Sequence, residues 1–321
     1  MSFYLRRRRA HHLFRLRWAN GEFILYVKLF DLLFYIIYII FMFSDTHFHF
    51  KMLSEECGLD GTEILSTMAK RNCFFGLDIG TKADDLKSRR QAVEKCGNFS
   101  FVKYSAGIWP DIDAIHDRER KIELLKSSIV DDSLSHPENK IVALGEFGLD
   151  HHWNPAGADG RKEDDFDEKT YRGERELFEA QLNLAQNLNL PAIIHSRDAF
   201  EDTLDCIKNV GYNNGIIHCY SYGLEQARAF LDLGWYISFS GSVTYTKKAK
   251  IEEVTKLLAY VPDDRILCET DSPYLAPAPH RGKPNCPVFV EYVYDFVAKA
   301  RNISSEKLSD IVDCNIKNLF L

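Results

Sequence analysis

The sequence predicts a protein of the α/β class, a single (β/α)8 TIM barrel preceded by a basic and hydrophobic N-terminal extension. From residue 41 onward, eight short apolar segments alternate with longer polar segments of helical periodicity, which is typical of repeated βα units. Five of the apolar segments end on His, Glu or Asp side chains. Because a (β/α)8 barrel presents its catalytic groups at the carboxyl ends of its strands, these endings indicate one common site.

The predicted strands are separated by segments long enough to form a helix each. They span residues 41–45, 72–80, 100–107, 140–148, 190–196, 214–220, 234–240 and 264–271. Between the fourth and fifth strands, ERELFEAQLNLAQNLNL places Leu177 and Leu184 on one helical stripe. Asp198 stands where the N-cap of the helix after the fifth strand is expected. The polar stretches 131–140 and 157–173 are expected to be surface loops.

Composition and charge limit the classes of function that are open to the chain. Its 321 residues are 45% hydrophobic, which is enough for a full core, and the net charge is -7. Residues 1–44 have a balance of +5, which leaves -12 for the rest. An acidic body excludes a protein that coats nucleic acid through its overall field, so a phosphate-bearing substrate must be held by local cations or by metal. The eight cysteines form no CxxC pair, which favours a reducing, cytoplasmic setting.

Residues 1–41 carry RRRR and then a strongly apolar run, and three interpretations are open. A signal-anchor helix is disfavoured because Lys28 and Asp31 are costly near a bilayer centre. If the residues just before His47 form the first barrel strand, the apolar run that remains ahead of them is shorter than the roughly 20 residues that a membrane-spanning helix needs. A soluble amphipathic extension is the second possibility. The favoured interpretation is that residues 1–41 are a translated upstream segment and that the working protein starts at Met42. The working domain is then 42–321. Membrane association would be possible only through 1–41 and is disfavoured.

The strand endings are side chains that commonly bind divalent metal ions. His47 and His49 are two residues apart on a strand and therefore point to the same face. Glu146 lies between Gly145 and Gly148, which suggests close backbone approach at a crowded site. A buried carboxylate is costly unless it is paired or metal-bound, and Glu146 could bridge two cations through its two oxygens.

Three further strand endings complete the predicted site. His195 and His218 each follow an Ile-Ile pair, and Asp271 ends the eighth strand. Either histidine alone could be a core residue, but the convergence of all the strand endings favours metal ligands. Imidazole and carboxylate ligands suit two divalent ions such as Mg, Mn or Zn. Asp271 could also accept the proton of a bound water. Asp150 and Glu269 are expected to orient neighbouring groups. The predicted ligands are His47, His49, Glu146, His195, His218 and Asp271, with Asp271 and Glu146 as catalytic residues.

Several cations are candidates for contact with an anionic substrate. Arg197 directly follows His195, and the loop after the eighth strand contains His280, Arg281 and Lys283. Arginine offers a bidentate fork to a phosphate group. The alternative is a solvated charged loop, and solvation is the favoured interpretation for the lysines at 247, 248 and 250.

The chain resembles the TatD family of metal-dependent deoxyribonucleases, within the amidohydrolase-like superfamily, from about Phe43 to Phe320. The resemblance rests on DTHFH, GEFGLD, LPAIIHSRDA, IIHCYSYG, LLAYVPDDRILCETDSPYLAP, HRGKPNCP and NIKNLF. It implies the same six metal ligands and hydrolysis of phosphodiester bonds in DNA, often exonucleolytically. One departure is Trp109, which stands where the family often has His in a G-[IV]-H-P segment. Trp109 could instead stack a base.

The leading hypothesis is a two-metal phosphodiesterase acting on DNA, or on RNA, with no stable protein partner. The cations would lower the pKa of a water, Asp271 would accept its proton, and loop cations would offset phosphoryl charge. A second hypothesis is hydrolysis of a carbonyl substrate, such as an amide, a lactone or an aminoacyl-tRNA ester, at the same site. A third is a non-catalytic scaffold or membrane-tethered adaptor, which the presence of all six ligands disfavours.

Overall fold

The computed structural model describes residues 43–152 and 167–321, together with the backbone of two short strands near the N-terminus. These strands, β1 (Phe14–Ala19) and β2 (Glu22–Val27), pair in antiparallel orientation. The remainder of the 1–41 extension lies outside the described residues, as does most of the apolar run interpreted above. Within the part of the chain that is described, no helix is both long and apolar enough to cross a membrane.

Eight parallel strands form a nearly closed barrel in which each strand pairs with its neighbours in chain order. They are β3 (Asp45–Phe48), β4 (Gly76–Asp78), β5 (Val102–Ala106), β6 (Ala143–Asp150), β7 (Ala192–Arg197), β8 (Gly215–Ile217), β9 (Tyr236–Phe239) and β10 (Ile266–Cys268). The last strand meets the first just beyond its end, where Asp271 N donates to His47 O at 2.9 Å and His49 N donates to Ser272 O at 2.8 Å. The predicted (β/α)8 barrel is therefore confirmed.

Ten α-helices of the described residues alternate with the strands and complete the barrel wall. They are α1 (Gly61–Lys70), α2 (Leu86–Glu94), α3 (Ile112–His116), α4 (Arg118–Ser135), α5 (Glu168–Leu188), α6 (Phe200–Val210), α7 (Leu224–Asp232), α8 (Ile251–Tyr260), α9 (Val290–Ala300) and α10 (Ser305–Phe320). Shorter helical turns lie at Met52–Glu56, Gly241–Tyr245, Lys248–Lys250, Asp263–Arg265 and Pro287–Phe289. The strands are almost entirely buried, since their outer face is covered by these helices.

The glycines around Glu146 allow β6 and β7 to approach closely. A Cβ at Gly148 (φ +154°) would lie 1.9 Å from His195 O, and one at Gly145 (φ +151°) would lie 2.5 Å from Ile193 Cβ. Both positions also have a positive φ, which glycine adopts without strain. The close approach inferred from sequence is therefore present, and it brings β6 and β7 together at the level of Glu146 and His195.

The first barrel strand begins later than predicted, at Asp45 rather than at residue 41. The residues just before it anchor the opposite end of the barrel. Phe43 stacks on Tyr294 with ring centroids 4.4 Å apart, and Ser44 Oγ donates to Asp313 Oδ1 at 2.6 Å. His47 consequently lies inside the strand instead of after it.

Two stretches predicted to be loops are partly helical. Helix α5 begins at Glu168, inside 157–173, because Asp167 accepts a hydrogen bond from Thr170 N at 2.7 Å and caps it. Residues 157–166 of that stretch lie outside the described residues. Helix α4 continues to Ser135, inside 131–140, where buried Asp132 pairs with Arg90.

The prediction that Asp198 caps α6 is wrong. Asp198 has a left-handed backbone (φ +53°), and its Oδ2 instead lies 2.7 Å from His152 Nδ1. Ala199 occupies the cap position and provides no side-chain hydrogen bond. The left-handed backbone at Asp198 accompanies the contact of its carboxylate with His152, and no side-chain cap is formed on α6.

Candidate metal centre

The six predicted ligands meet at the carboxyl ends of five strands. His47 is within β3 and His49 directly follows it, Glu146 is in β6, and His195 is in β7. His218 directly follows β8, and Asp271 lies three residues beyond β10. His47, His49, Glu146 and His218 are buried, whereas His195 and Asp271 are partly exposed. The site is therefore reachable from solvent on the side of His195 and Asp271.

Glu146 lies at the centre of the site, and its two oxygens face different histidines. Its Oε1 is 3.0 Å from His195 Nδ1 and 2.9 Å from His218 Nε2. Its Oε2 is 3.3 Å from His47 Nε2 and 3.8 Å from His49 Nε2. One carboxylate thus divides the four imidazoles into two pairs.

Asp271 belongs with the His47 and His49 pair. Its Oδ1 lies 3.7 Å from His47 Nε2 and 3.6 Å from His49 Nε2. The two halves of the site remain in contact because the His47 and His218 rings stack, with centroids 4.1 Å apart and planes 9° from parallel. The result is a continuous set of nitrogen and oxygen donors around Glu146.

Two further carboxylates orient the histidines of the other half. Asp150 Oδ2 lies 3.0 Å from His195 Nε2, and Glu269 Oε1 lies 3.4 Å from His218 Nδ1. Each carboxylate contacts one ring nitrogen and leaves the other directed at Glu146. Such carboxylate–histidine contacts fix the tautomer and orientation of histidines that bind metal. The expectation that Asp150 and Glu269 orient neighbouring groups agrees with these contacts.

The electrostatics of the site favour negative carboxylates beside positive charge. Burial opposes ionisation of Glu146, but the charge of His218 and the nearby His195, His218 and His47 rings hold its pKa well below the usual value. Burial also opposes ionisation of Asp271, yet His49, His47 and His218 lower its pKa. For His195, burial opposes protonation, but Asp150 and Glu146 together raise its pKa to about 9. These carboxylates are therefore ionised and stabilise positive charge.

The residues fit a divalent cation. Both ring nitrogens of His47 are fully buried, and neither makes a hydrogen bond of good geometry with the described residues. A buried polar atom in this state requires an explanation, and a bound ion is one. The donor atoms of His47, His49 and Glu146 lie within 4.8 Å of one another, as do those of Glu146, His195 and His218. Imidazole and carboxylate donors suit ions such as zinc and manganese.

The five predicted substrate contacts are placed differently around this centre. Trp109 approaches His195 edge-on, with ring centroids 5.7 Å apart. Arg197 is exposed at the end of β7, and its charge helps to lower the pKa of Asp150. Contact with substrate remains a prediction for all five.

The other three lie in the loop after β10. His280 stacks on Phe289 with centroids 3.9 Å apart, so its ring packs against the turn that leads into α9. The Arg281 guanidinium lies 4.5 Å above the Tyr245 ring, which orients it. Lys283 is exposed in the same loop.

Sequence reasoning missed an aromatic side chain beside the site. Tyr274 approaches His49 edge-on, with centroids 6.0 Å apart, and its side chain remains 51% exposed. Its hydroxyl lies 3.6 Å from Met52 Sδ. Its position three residues after Asp271, in the loop after β10, could have indicated that it lies beside the site.

Sequence reasoning also missed a buried ion pair below the site. Asp78 Oδ1 accepts a hydrogen bond from Phe50 N at 2.9 Å, which fixes the chain just after His49. Arg89 Nη1 donates to Asp78 Oδ2 at 2.7 Å, and its Nη2 donates to Ser105 O at 2.6 Å. Asp78 ends a strand in GLDIG, so a search for apolar segments that end on His, Glu or Asp could have found it.

Comparison with known proteins identifies relatives across the whole barrel. The sequence model of the family described as TatD related DNase matches residues 44–321. The uncharacterized metal-dependent hydrolase YabD of Bacillus subtilis is 34% identical over 281 residues, covering 87% of this chain and 99% of its own. The corresponding hydrolase YcfH of Escherichia coli K12 is 33% identical over 283 residues, covering 86% and 94%. The crystal structure of YjjV, a TatD homologue from Escherichia coli K12, superposes with a TM-score of 0.70 at 25% identity, covering 87% and 97%.

Proposed function

The chain belongs to the family of TatD-related DNases and is a metal-dependent hydrolase, and on this basis we propose that it cleaves phosphodiester bonds in DNA. The attacking group would be a water, the centre would hold two divalent ions that supply the chemistry to activate it, and degradation would proceed from a strand end. All eight cysteines are unpaired, which supports a reducing compartment, and we place the activity in the cytoplasm.

The division of donors by Glu146 is the observation that carries the proposal. Its Oε2 faces His47 and His49, and its Oε1 faces His195 and His218. His47 and His49 would hold one ion and His195 and His218 a second, with Glu146 available to both groups, whereas a single ion would leave one pair of histidines unused.

Two divalent ions at such a site supply Lewis acidity, which lowers the pKa of a water and offsets charge on the phosphoryl oxygens. The protein residues have separate roles around this chemistry. Asp271 is ionised and partly exposed, so its carboxylate can accept a proton from a water that enters the site. Arg281 rests on the face of Tyr245 and presents its guanidinium to a phosphate group.

The test uses the full-length protein, stripped of metal by a chelator and then supplied with Mg²⁺, Mn²⁺ or Zn²⁺. Labelled single-stranded DNA is the substrate, and bound metal is counted by elemental analysis. We expect metal-dependent shortening of the DNA and about two ions per chain. A His195→Ala variant should lose both the second ion and the activity. His136→Ala is the matched control, because His136 contacts Asp132 and Glu94, outside the metal centre.

Two results would change the proposal. No cleavage of DNA by a folded protein with two bound ions would refute the nuclease and favour a carbonyl substrate at the same centre. An Asp271→Asn variant that retained full turnover would refute the role of Asp271 as proton acceptor.

A further inference from the structure

The backbone that leads into Glu146 lies where the barrel ladder is irregular. The pairing of β5 with β6 ends at Ala106 and Leu144. Just beyond it, Gly107 passes so close to β6 that a Cβ there would lie 2.5 Å from Gly145 C. The pairing of β6 with β7 shifts its register at the same level. The polar atoms of the peptide between Gly145 and Glu146 therefore need partners other than a regular ladder.

The hydroxyl of Ser105 supplies one of these partners and holds the other. Ser105 Oγ donates to Gly145 O at 2.5 Å, and Glu146 N donates to Gly80 O at 2.6 Å. Gly80 N in turn donates to Ser105 Oγ at 3.1 Å. Ser105 is fully buried, where an unpaired polar atom is costly. The peptide before Glu146 is thus fixed at its oxygen and at its nitrogen.

The backbone of Ser105 is itself held by a buried ion pair. Arg89 Nη2 donates to Ser105 O at 2.6 Å, and Arg89 Nη1 donates to Asp78 Oδ2 at 2.7 Å and to Asp78 O at 3.1 Å. Both charged side chains are buried. Ser105 therefore has little freedom to move, and its hydroxyl provides a fixed point for the peptide on β6.

We propose that Ser105 is a positioning residue for Glu146, which keeps the two oxygens of that carboxylate directed at the two groups of histidines. Its hydroxyl acts on the backbone from which the Glu146 side chain projects, since its proton is donated to Gly145 O and its oxygen accepts from Gly80 N. The inference rests on the metal centre of the proposed function and is independent of DNA as the substrate.

A displacement of Glu146 should affect both groups of histidines together. Its Oε1 lies 3.0 Å from His195 Nδ1 and 2.9 Å from His218 Nε2. Its Oε2 lies 3.3 Å from His47 Nε2 and 3.8 Å from His49 Nε2. All four distances depend on the direction of one side chain. We therefore expect loss of the Ser105 hydroxyl to weaken the binding of both ions, unlike loss of a group that contacts a single histidine.

The test is Mn²⁺ binding by full-length protein that has been stripped of metal with a chelator, with free and bound ion distinguished by electron paramagnetic resonance. Ser105→Ala leaves Gly145 O and Gly80 N without the hydroxyl. It should weaken the binding of both ions by about tenfold, the lower end of the range for residues that orient a metal ligand. Ser105→Thr keeps the hydroxyl and should bind Mn²⁺ nearly as tightly as wild type.

Two further variants separate this role from packing and from stability in general. Ser44→Ala is the matched control, because Ser44 is also buried and its Oγ donates to Asp313 Oδ1 at 2.6 Å at the opposite end of the barrel. It should lower the free energy of unfolding in urea, as Ser105→Ala does, but leave Mn²⁺ affinity unchanged. Ser105→Cys fills a similar volume with a weak donor, so it should share most of the loss seen in Ser105→Ala.

Several outcomes would overturn the inference. They are wild-type Mn²⁺ affinity in a folded Ser105→Ala protein, wild-type affinity in Ser105→Cys, an equal loss in Ser44→Ala, or a folded Ser105→Thr protein that binds as weakly as Ser105→Ala. The proposed function is judged separately, because a protein that shows the expected Mn²⁺ affinities but cleaves no DNA would refute the nuclease alone. A wild-type protein that bound neither Mn²⁺ nor Zn²⁺ would refute both.

Discussion

Replacement of Asp150 by Asn tests whether the carboxylates around the centre act through the histidines they contact. Asp150 Oδ2 lies 3.0 Å from His195 Nε2, and the side chain is almost fully buried. Burial opposes ionisation of Asp150, but hydrogen bonds from His195 and from His152 N, together with the charges of His195 and Arg197, lower its pKa. It is thus an acceptor at neutral pH, which assigns the proton to His195 Nε2 and leaves Nδ1 for an ion.

The magnitude follows from the loss of this charged acceptor. Asn has the same size but no charge, and its amide can present either an acceptor or a donor to His195. Removal of a carboxylate that orients a metal-binding histidine typically costs 10- to 100-fold in metal affinity or activity, which is about 1.4–2.7 kcal/mol. We expect Asp150→Asn to weaken binding at the ion held by His195 and His218 by that factor and to lower kcat similarly.

Metal affinity is measured by competition with a chromophoric chelator, and kcat with labelled DNA. Asp198→Asn is the matched control, because Asp198 also contacts a histidine, His152, but its side chain is 62% exposed. An exposed contact of this kind contributes little, so the control should stay within about 1 kcal/mol of wild type. A folded Asp150→Asn protein with metal affinity within about twofold of wild type would refute the reasoning.

Three further predictions concern stability and the extent of the working domain. Arg89→Met leaves Asp78 buried without its partner and should cost about 3–5 kcal/mol in the free energy of unfolding. Arg120→Met, at a largely exposed pair, should leave the free energy of unfolding nearly unchanged. Urea denaturation of both variants tests this, and similar costs would contradict it. Removal of metal should lower the melting temperature, since ion at 100 times its Kd adds about 2.7 kcal/mol; an unchanged melting curve with chelator would argue against a bound ion. A protein that begins at Met42 should keep full activity, because the packing of Phe43 on Tyr294 and the Ser44–Asp313 hydrogen bond remain. A large loss of activity in that protein would give residues 1–41 a function.

The convergence of the six predicted ligands on one face could be anticipated from sequence because the evidence for each is local. A run such as AIIH fixes both the strand and the residue at its end, and barrel geometry places all such ends on one face. Glu146 required one more step, since its flanking glycines indicated close approach of the backbone before any neighbour was known. Each of these inferences uses only a few adjacent residues.

The features that sequence reasoning missed depend on contacts between distant segments. The Arg89–Asp78 pair and the Tyr274–His49 contact join different βα units, and no spacing within one unit indicates them. The start of α5 depends on which of several nearby acidic residues caps it. Asp167 is the residue that caps the helix. Within its first two turns Gly173 packs closely against Ile115, and only the folded chain brings these two residues together. Asp198 had the correct residue type for a cap and the wrong backbone conformation.

The charge of the barrel leads to a prediction about how DNA binds. The net charge is -7, and the centre itself contains Glu146 and Asp271, so the overall field of the protein does not attract phosphates. If the metal centre supplies most of the affinity, only about one to three phosphates should contact Arg281, Arg197 or Lys283. For single strands, log K falls by about 0.7 per log unit of salt for each neutralised phosphate. We therefore expect a slope between about -0.7 and -2 for binding of a short oligonucleotide between 50 and 300 mM NaCl. A slope near -4 or steeper would require an extended basic track on the protein surface and would contradict this prediction.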